Sequence, residues 1–178
     1  PGLQFDTTSQ DWNVVPNTGR INAKNPCSEF VFLDDTACNL LSLNLMKFQS
    51  EDGTFNVDRF KRAVDICFTG QEILVSNASY PTPAIAKNSE ALRPLGLGYA
   101  NLGALLMSMG LAYDSPEDSR FAGAAKQIHT GEAIAQSARM AQGKVTLTEF
   151  AQHRDPLQRV MEQHRQEGPA RRTSDQLA

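Results

Sequence analysis

The sequence predicts an α/β fold, and three observations predict it. From Cys38 to Leu45 the residues alternate with a period of two, as in a strand with two unlike faces. Residues 56–76 repeat their apolar positions every three or four, as an amphipathic helix does, and Ser115-Pro116-Glu117-Asp118 has the pattern of a helix start. Forty per cent apolar and 21% charged residues over 178 positions are enough for one domain with a core.

Residues 1–24 read as short extended pieces joined by polar turns, with Pro16-Asn17-Thr18-Gly19 the clearest turn. Asn25-Pro26-Cys27-Ser28-Glu29 follows. Phe30-Val31-Phe32-Leu33 reads as a short strand that Asp34-Asp35 ends. In the period-two segment Asn39, Leu41, Leu43 and Leu45 share one face. Cys38, Leu40, Ser42 and Asn44 share the other, which would line a cavity or, on the favoured reading, be the solvated face of an edge strand. Glu51-Asp52-Gly53 is a turn. The helix over 56–76 carries a stripe of Phe60, Ala63, Val64, Cys67 and Leu74, so Cys67 reads as a small buried hydrophobe. A Pro-rich break at Ser79–Pro83 precedes a short helix over 84–92. Arg93-Pro94-Leu95-Gly96-Leu97-Gly98-Tyr99 leads into a helix with Leu102, Leu105, Leu106 and Met109 on one side and Gly110 near its end. Gly96-x-Gly98 lacks the third glycine of a dinucleotide loop, because Asn101 stands there, so close strand-to-helix packing is the expectation. Ser115-Pro116-Glu117-Asp118 caps a helix that runs to about Gln142. His129, without a spaced partner, reads as a surface or packing residue. Asp155-Pro156 starts a last helix to about Gln166, and 167–178 reads as a disordered tail.

The charge balance, 17 basic against 20 acidic residues, argues against a nucleic-acid or membrane surface. No apolar run approaches the ~20 residues that span a bilayer. The start lacks the pattern of a signal peptide and an initiator Met, so a chain beginning inside a longer protein is expected. Three cysteines, Cys27, Cys38 and Cys67, form neither a disulfide framework nor a Cys-x-x-Cys pair, and the three histidines are scattered. That spacing argues against a zinc site and leaves cytoplasmic, catalytic sulfur chemistry as the expectation.

The chemistry concentrates at Asn25-Pro26-Cys27-Ser28-Glu29. Pro26 biases Asn25 to extended backbone. In an extended run Asn25, Cys27 and Glu29 would share one face, presenting an amide, a sulfur and a carboxylate to one small object. A hydrolytic cysteine needs an imidazole base, and no histidine lies nearby in sequence. Radical or redox sulfur chemistry needs a hydrogen-donor thiol, a base and a second thiol. Cys27, Glu29 and Cys38 match those needs.

The run Asn25–Glu29, followed by Phe32-Leu33-Asp34-Asp35-Thr36-Ala37-Cys38-Asn39-Leu40-Leu41-Ser42-Leu43-Asn44-Leu45, resembles the catalytic segment of ribonucleotide reductases. The eleven-residue step from Cys27 to Cys38 is similar to the adenosylcobalamin-dependent class. Gly2–Phe5, Gly19–Ala23 and Arg93–Gly103 agree. The similarity covers roughly 1–142 and returns weakly at Arg154–Arg165. It implies that residues 1–166 are an incomplete piece of a ten-stranded α/β barrel, with a finger loop at about 20–33. It implies that Cys27 carries a thiyl radical that takes the ribose 3′-hydrogen. Glu29 would accept the 3′-hydroxyl proton, and Asn25 would hold the ribose hydroxyls. Residues 25–29 together would bind substrate. Cys38 would be one half of a redox disulfide whose partner lies upstream. The implied cofactor is adenosylcobalamin. The implied partners are a ribonucleotide, a thioredoxin-type reductant, the remaining reductase segments and a second copy in a homodimer.

The family's second redox cysteine lies upstream of this segment; the other cysteine here, Cys67, stands on a helical core face and is not assigned that role, and the family's phosphate loop and C-terminal cysteines are absent from this sequence. Two alternatives follow. One is the radical-site segment of an iron- or manganese-dependent reductase, against which the short cysteine step argues. The other is a non-catalytic piece serving as a structural or interaction module.

Overall fold

A computed structural model describes residues 3–143 and 150–167. Its elements in order are α1 (Asp6–Asp11), β1 (Asn39–Asn44), a 3-10 turn (Leu45–Phe48), α2 (Val57–Asn77), α3 (Pro83–Leu92), β2 (Leu95–Ala100), α4 (Leu102–Ser108), α5 (Pro116–Gly143) and α6 (Phe150–Glu167). It is a mixed α/β structure.

β1 and β2 pair in parallel, Asn39 opposite Leu95 through Asn44 opposite Ala100. The crossover between them holds α2 and α3, as parallel pairing requires. The two faces of β1 separate as the alternation predicts. Leu41 and Leu43, with Leu97 and Tyr99 from β2, pack into the main core. Leu40 and Ser42 on the other side are exposed, so that face is solvated.

β2 is a strand where the sequence offered only a glycine-spaced lead-in, and its glycines are explained by their neighbours. A Cβ at Gly96 would stand 2.5 Å from Leu40 Cδ2 and 2.6 Å from Cys38 Sγ, and one at Gly98 would stand 3.2 Å from Ser42 Oγ. The close packing is therefore strand to strand, not strand to helix.

α2 begins where Asn56 Oδ1 accepts from the Arg59 amide at 2.9 Å. Phe60, Val64 and Val75 are buried, and Cys67 packs partly buried beside them. Leu74 departs from the expected stripe: it is 55% exposed, and the buried position beside it belongs to Gln71. Phe60 lies among Phe48, Phe55 and His129, with ring centroids 5.1, 5.3 and 6.0 Å away. α5 starts at Ser115, whose hydroxyl accepts from the Asp118 amide, and lies along α2. α4 ends at Met109 with Gly110 at φ +73°, a conformation glycine adopts without strain.

Three segments differ from the sequence reading. Residues 6–11 form a short helix rather than an extended piece, and Phe30–Leu33 forms no strand. Leu33 instead joins Val15, Ile21 and Leu92 in a second small core. α6 begins at Phe150, ahead of Asp155-Pro156, and Pro156 lies inside it. Proline has no N–H for the carbonyl four residues back. That carbonyl, on Gln152, accepts from Asn17 Nδ2 at 2.5 Å instead, which ties α6 to the turn at Pro16–Gly19. Glu167 closes the helix, and the expected tail from 168 onward lies outside the described residues. No helix among the described residues is long and apolar enough to cross a membrane.

His129 is a packing histidine, 2% exposed, between Phe60 and Tyr99. Burial, reinforced by the Lys126 charge, lowers its pKa from 6.5 to about 4. Between those values the unfolded chain holds the extra proton and the folded chain does not, so stability falls as pH drops through the window. We expect wild type to lose up to ~3 kcal/mol relative to His129→Phe between pH 7 and 4. Urea unfolding at a series of pH values checks this; parallel curves for the two proteins would refute it.

Candidate functional site

The loop from Arg20 to Ala37 carries the predicted residues to the edge of the sheet's solvated face. Asn25–Glu29 is not an extended run. The Ser28 amide donates to the Asn25 carbonyl at 3.2 Å, and the Phe30 amide donates to Asn25 Oδ1 at 3.0 Å. The Asn25 amide donates back to the Phe30 carbonyl at 3.4 Å, and Ser28 sits at φ +66°. The backbone reverses. Pro26 is compatible with this because it starts turns as readily as it favours extension, and the Asn25 side chain closes the loop as asparagine does in Asx turns. Lys24 Nζ donates to the Asn25 and Pro26 carbonyls at 3.2 and 3.4 Å, bracing the same reversal.

The turn brings Asn25 and Glu29 together by a route other than alternation. The Asn25 side chain hydrogen-bonds the Glu29 carboxylate. That bond, with the Glu29 backbone amide and Lys24, holds the Glu29 pKa below the ordinary value although the side chain is exposed. Cys27 lies between them on the turn, exposed, as are Pro26 and Ser28. A shielded radical site is therefore not built by these residues alone.

Cys38 stands at the start of β1, half-buried, with its sulfur against Gly96. Burial raises its pKa, and the charge of Glu29 raises it further, so the turn and the strand share one electrostatic neighbourhood. At neutral pH Glu29 is an ionised acceptor and Cys38 a protonated donor. Cys67 is apart from this group, on α2 against the core, its thiol also raised by burial. All three cysteines are free. A cavity of about 300 Å³ lies elsewhere, lined by Phe68, Leu95, Leu97, Lys126, His129 and Ser137 among others. Its strand residues are on the core-facing side of β2, opposite Cys38.

Two polar residues near Cys38 escaped the sequence reading. Gln71, 1% exposed, donates Nε2 to the Asn39 carbonyl at 2.7 Å and the Gly96 carbonyl at 2.8 Å. Ser89, also 1% exposed, accepts from the Ala37 amide at 2.9 Å. The signal for Gln71 was a glutamine seven residues after Val64, in register with the apolar stripe of α2. A serine in α3 carries no such signal, because short helices with mixed faces hold serines routinely.

Comparison with known proteins bears on this site. Residues 1–176 match the family model described as ribonucleotide reductase, barrel domain. A vitamin B12-dependent ribonucleotide reductase from Rhodopirellula baltica is 51% identical over 165 residues, 93% of this chain and 16% of its own length. Proteins with the same name from Streptomyces avermitilis and Agrobacterium fabrum are each 46% identical, over 92% and 93% of this chain and 17% and 13% of their own lengths. The chain thus spans less than a fifth of these relatives.

Proposed function

We propose a role for this chain from one premise: it belongs to the family of ribonucleotide reductase barrel domains. It is the radical-site part of a vitamin B12-dependent reductase that turns ribonucleotides into 2′-deoxyribonucleotides for DNA synthesis. β1 and β2 supply two strands of the ten-stranded barrel, and residues 20–33 form the finger loop that enters it. The rest of the reductase supplies the remaining strands and the enclosure that the exposed Cys27 needs.

Cys27, as a thiyl, takes the 3′-hydrogen of the ribose and returns it at the end. Glu29 accepts the 3′-hydroxyl proton, and Asn25, already bonded to Glu29, holds the ribose hydroxyls. Pro26 and Ser28 set the turn that offers all three to substrate. Cys38 gives its proton to the departing 2′-hydroxyl, which leaves as water. Its sulfur then forms a disulfide with a second cysteine, supplying the two electrons of the reduction. A thioredoxin-type reductant reopens that disulfide in the cytoplasm, and the complete protein works as a homodimer.

The names of the relatives include vitamin B12, and the fit to this chain rests on access. The Cys27 thiol is exposed on a turn, where a bulky group can come up to it. Bound adenosylcobalamin would supply the radical that Cys27 carries.

The observation that supports this reading best is that the turn closed by Asn25 and Phe30 brings Asn25 against Glu29 and sets the Glu29 charge close enough to act on Cys38. The experiment is a chimaera in which this chain replaces the matching segment of a full-length B12-dependent reductase. Deoxyribonucleotide formation that requires adenosylcobalamin is expected. Glu29→Gln, which keeps the shape and loses the proton acceptor, is expected to lower kcat by ~100-fold with KM little changed. Equal turnover without the cofactor, or an unchanged kcat in Glu29→Gln, would overturn the assignment.

A further inference from the structure

We infer that Gln71 and Ser89 are positioning residues for the Cys38 thiol. The inference rests on the redox role proposed for Cys38.

The two neighbours of Cys38 in the chain are each held by a buried side chain from a different helix. Ala37, just before it, gives its N–H to Ser89 of α3. Asn39, just after it, has its carbonyl held by Gln71 of α2. The same Gln71 amide holds the carbonyl of Gly96, the residue whose missing side chain makes room for the Cys38 sulfur. One nitrogen therefore fixes both walls of the cleft in which the thiol sits, the strand that carries it and the strand it lies against.

Ordinary fold maintenance does not call for this arrangement. A leucine at position 71 would fill the stripe of α2 without a buried amide. Gln71 Oε1 finds no hydrogen-bond partner among the described residues, which is a cost of keeping the amide there. Parallel strands also pair through their own ladder without help from a side chain. What the two side chains add is fixed direction for a sulfur that must meet a leaving hydroxyl on one side and a second sulfur on the other. Disulfide formation tolerates little error in that direction.

The test uses the full chain and its three thiols as separate probes. Wild type, Gln71→Met and Ser89→Ala are alkylated with iodoacetamide over a range of pH, and each cysteine is followed by peptide mass. Gln71→Met keeps the length and loses the donors; Ser89→Ala removes one oxygen. In both variants Cys38 is expected to react roughly tenfold faster, with its pH midpoint moved down toward that of an ordinary thiol. Cys27 and Cys67 should keep their wild-type rates. If Cys38 does not change in either variant, the inference fails. If all three thiols change together, the residues serve the fold as a whole, and the inference also fails. Alkylation reads the geometry of the thiol and not its turnover. A negative result leaves the redox role of Cys38 standing, and loss of that role would leave this result standing.

Discussion

Cys27→Ala in the complete reductase is expected to lower deoxyribonucleotide formation by more than ~1,000-fold, the scale seen when a group that acts as a unit with its neighbours is removed. Alanine has no S–H bond to break and remake. Serine would not replace it, because an O–H bond is stronger than S–H and the hydrogen would not be given up. The effect should be confined to chemistry. In this chain by itself Cys27 is exposed on a turn that is closed by Asn25 and Phe30, so its side chain has no packing to lose there. Thermal unfolding of this chain carrying Cys27→Ala should therefore match the unsubstituted chain within ~0.5 kcal/mol. The pairing of intact stability with absent turnover is the expected signature. Activity within tenfold of wild type would remove Cys27 from the reaction and with it the reading of the whole turn.

The largest effect on stability is expected from Phe60→Ala. Phe60 is fully buried where α2, the 3-10 turn and α5 meet. Phe48 and Phe55 stand edge-on to its ring, and His129 lies nearly parallel to it. Truncation removes the ring and leaves a cavity that the surrounding elements cannot all close. The expected loss is ~3–5 kcal/mol, a large part of what a domain of this size has to lose. Ile66, on the same helix but 72% exposed, is the control, and Ile66→Ala should cost less than ~0.5 kcal/mol. Urea unfolding of the two variants measures the contrast. A Phe60→Ala loss below ~1 kcal/mol would mean that the aromatic cluster is not the centre of the core.

The parts of this fold that the sequence announced are those with strong local physics. The alternation at 39–44 placed Leu41 and Leu43 in the core and Leu40 and Ser42 outside it. Ser115 marked the start of α5, and its side chain accepts the expected amide; Asn56 and Thr82 do the same for α2 and α3, where no cap had been read. β2 was hidden because Gly96 and Gly98 break the pattern of a strand. Their reason lies across the sheet, in Cys38, Leu40 and Ser42, and no local window contains it. Pro156 misled because proline at a helix start is common, whereas its tolerance inside α6 depends on Asn17, 135 residues before the Gln152 carbonyl it holds. At the candidate site the residue types were legible and the backbone was not. Asn25 has two ways to satisfy its amide, extended or turned. The choice was made by Phe30 and Lys24, whose hydrogen bonds have no signature in composition.

The parallel pairing of β1 and β2 also orders the events of folding. The strands are more than fifty residues apart along the chain and cannot zip from a shared turn. Gln71 is 32 residues from Asn39 and 25 from Gly96, so each strand can find α2 over a shorter loop than it needs to find the other. Closing a shorter loop costs less chain entropy, by about half a kcal/mol here. A helix forms far faster than a non-local strand pair. The helix thus serves as the jig on which the strands are laid side by side, and the thiol beside them takes its place only when that late step is complete.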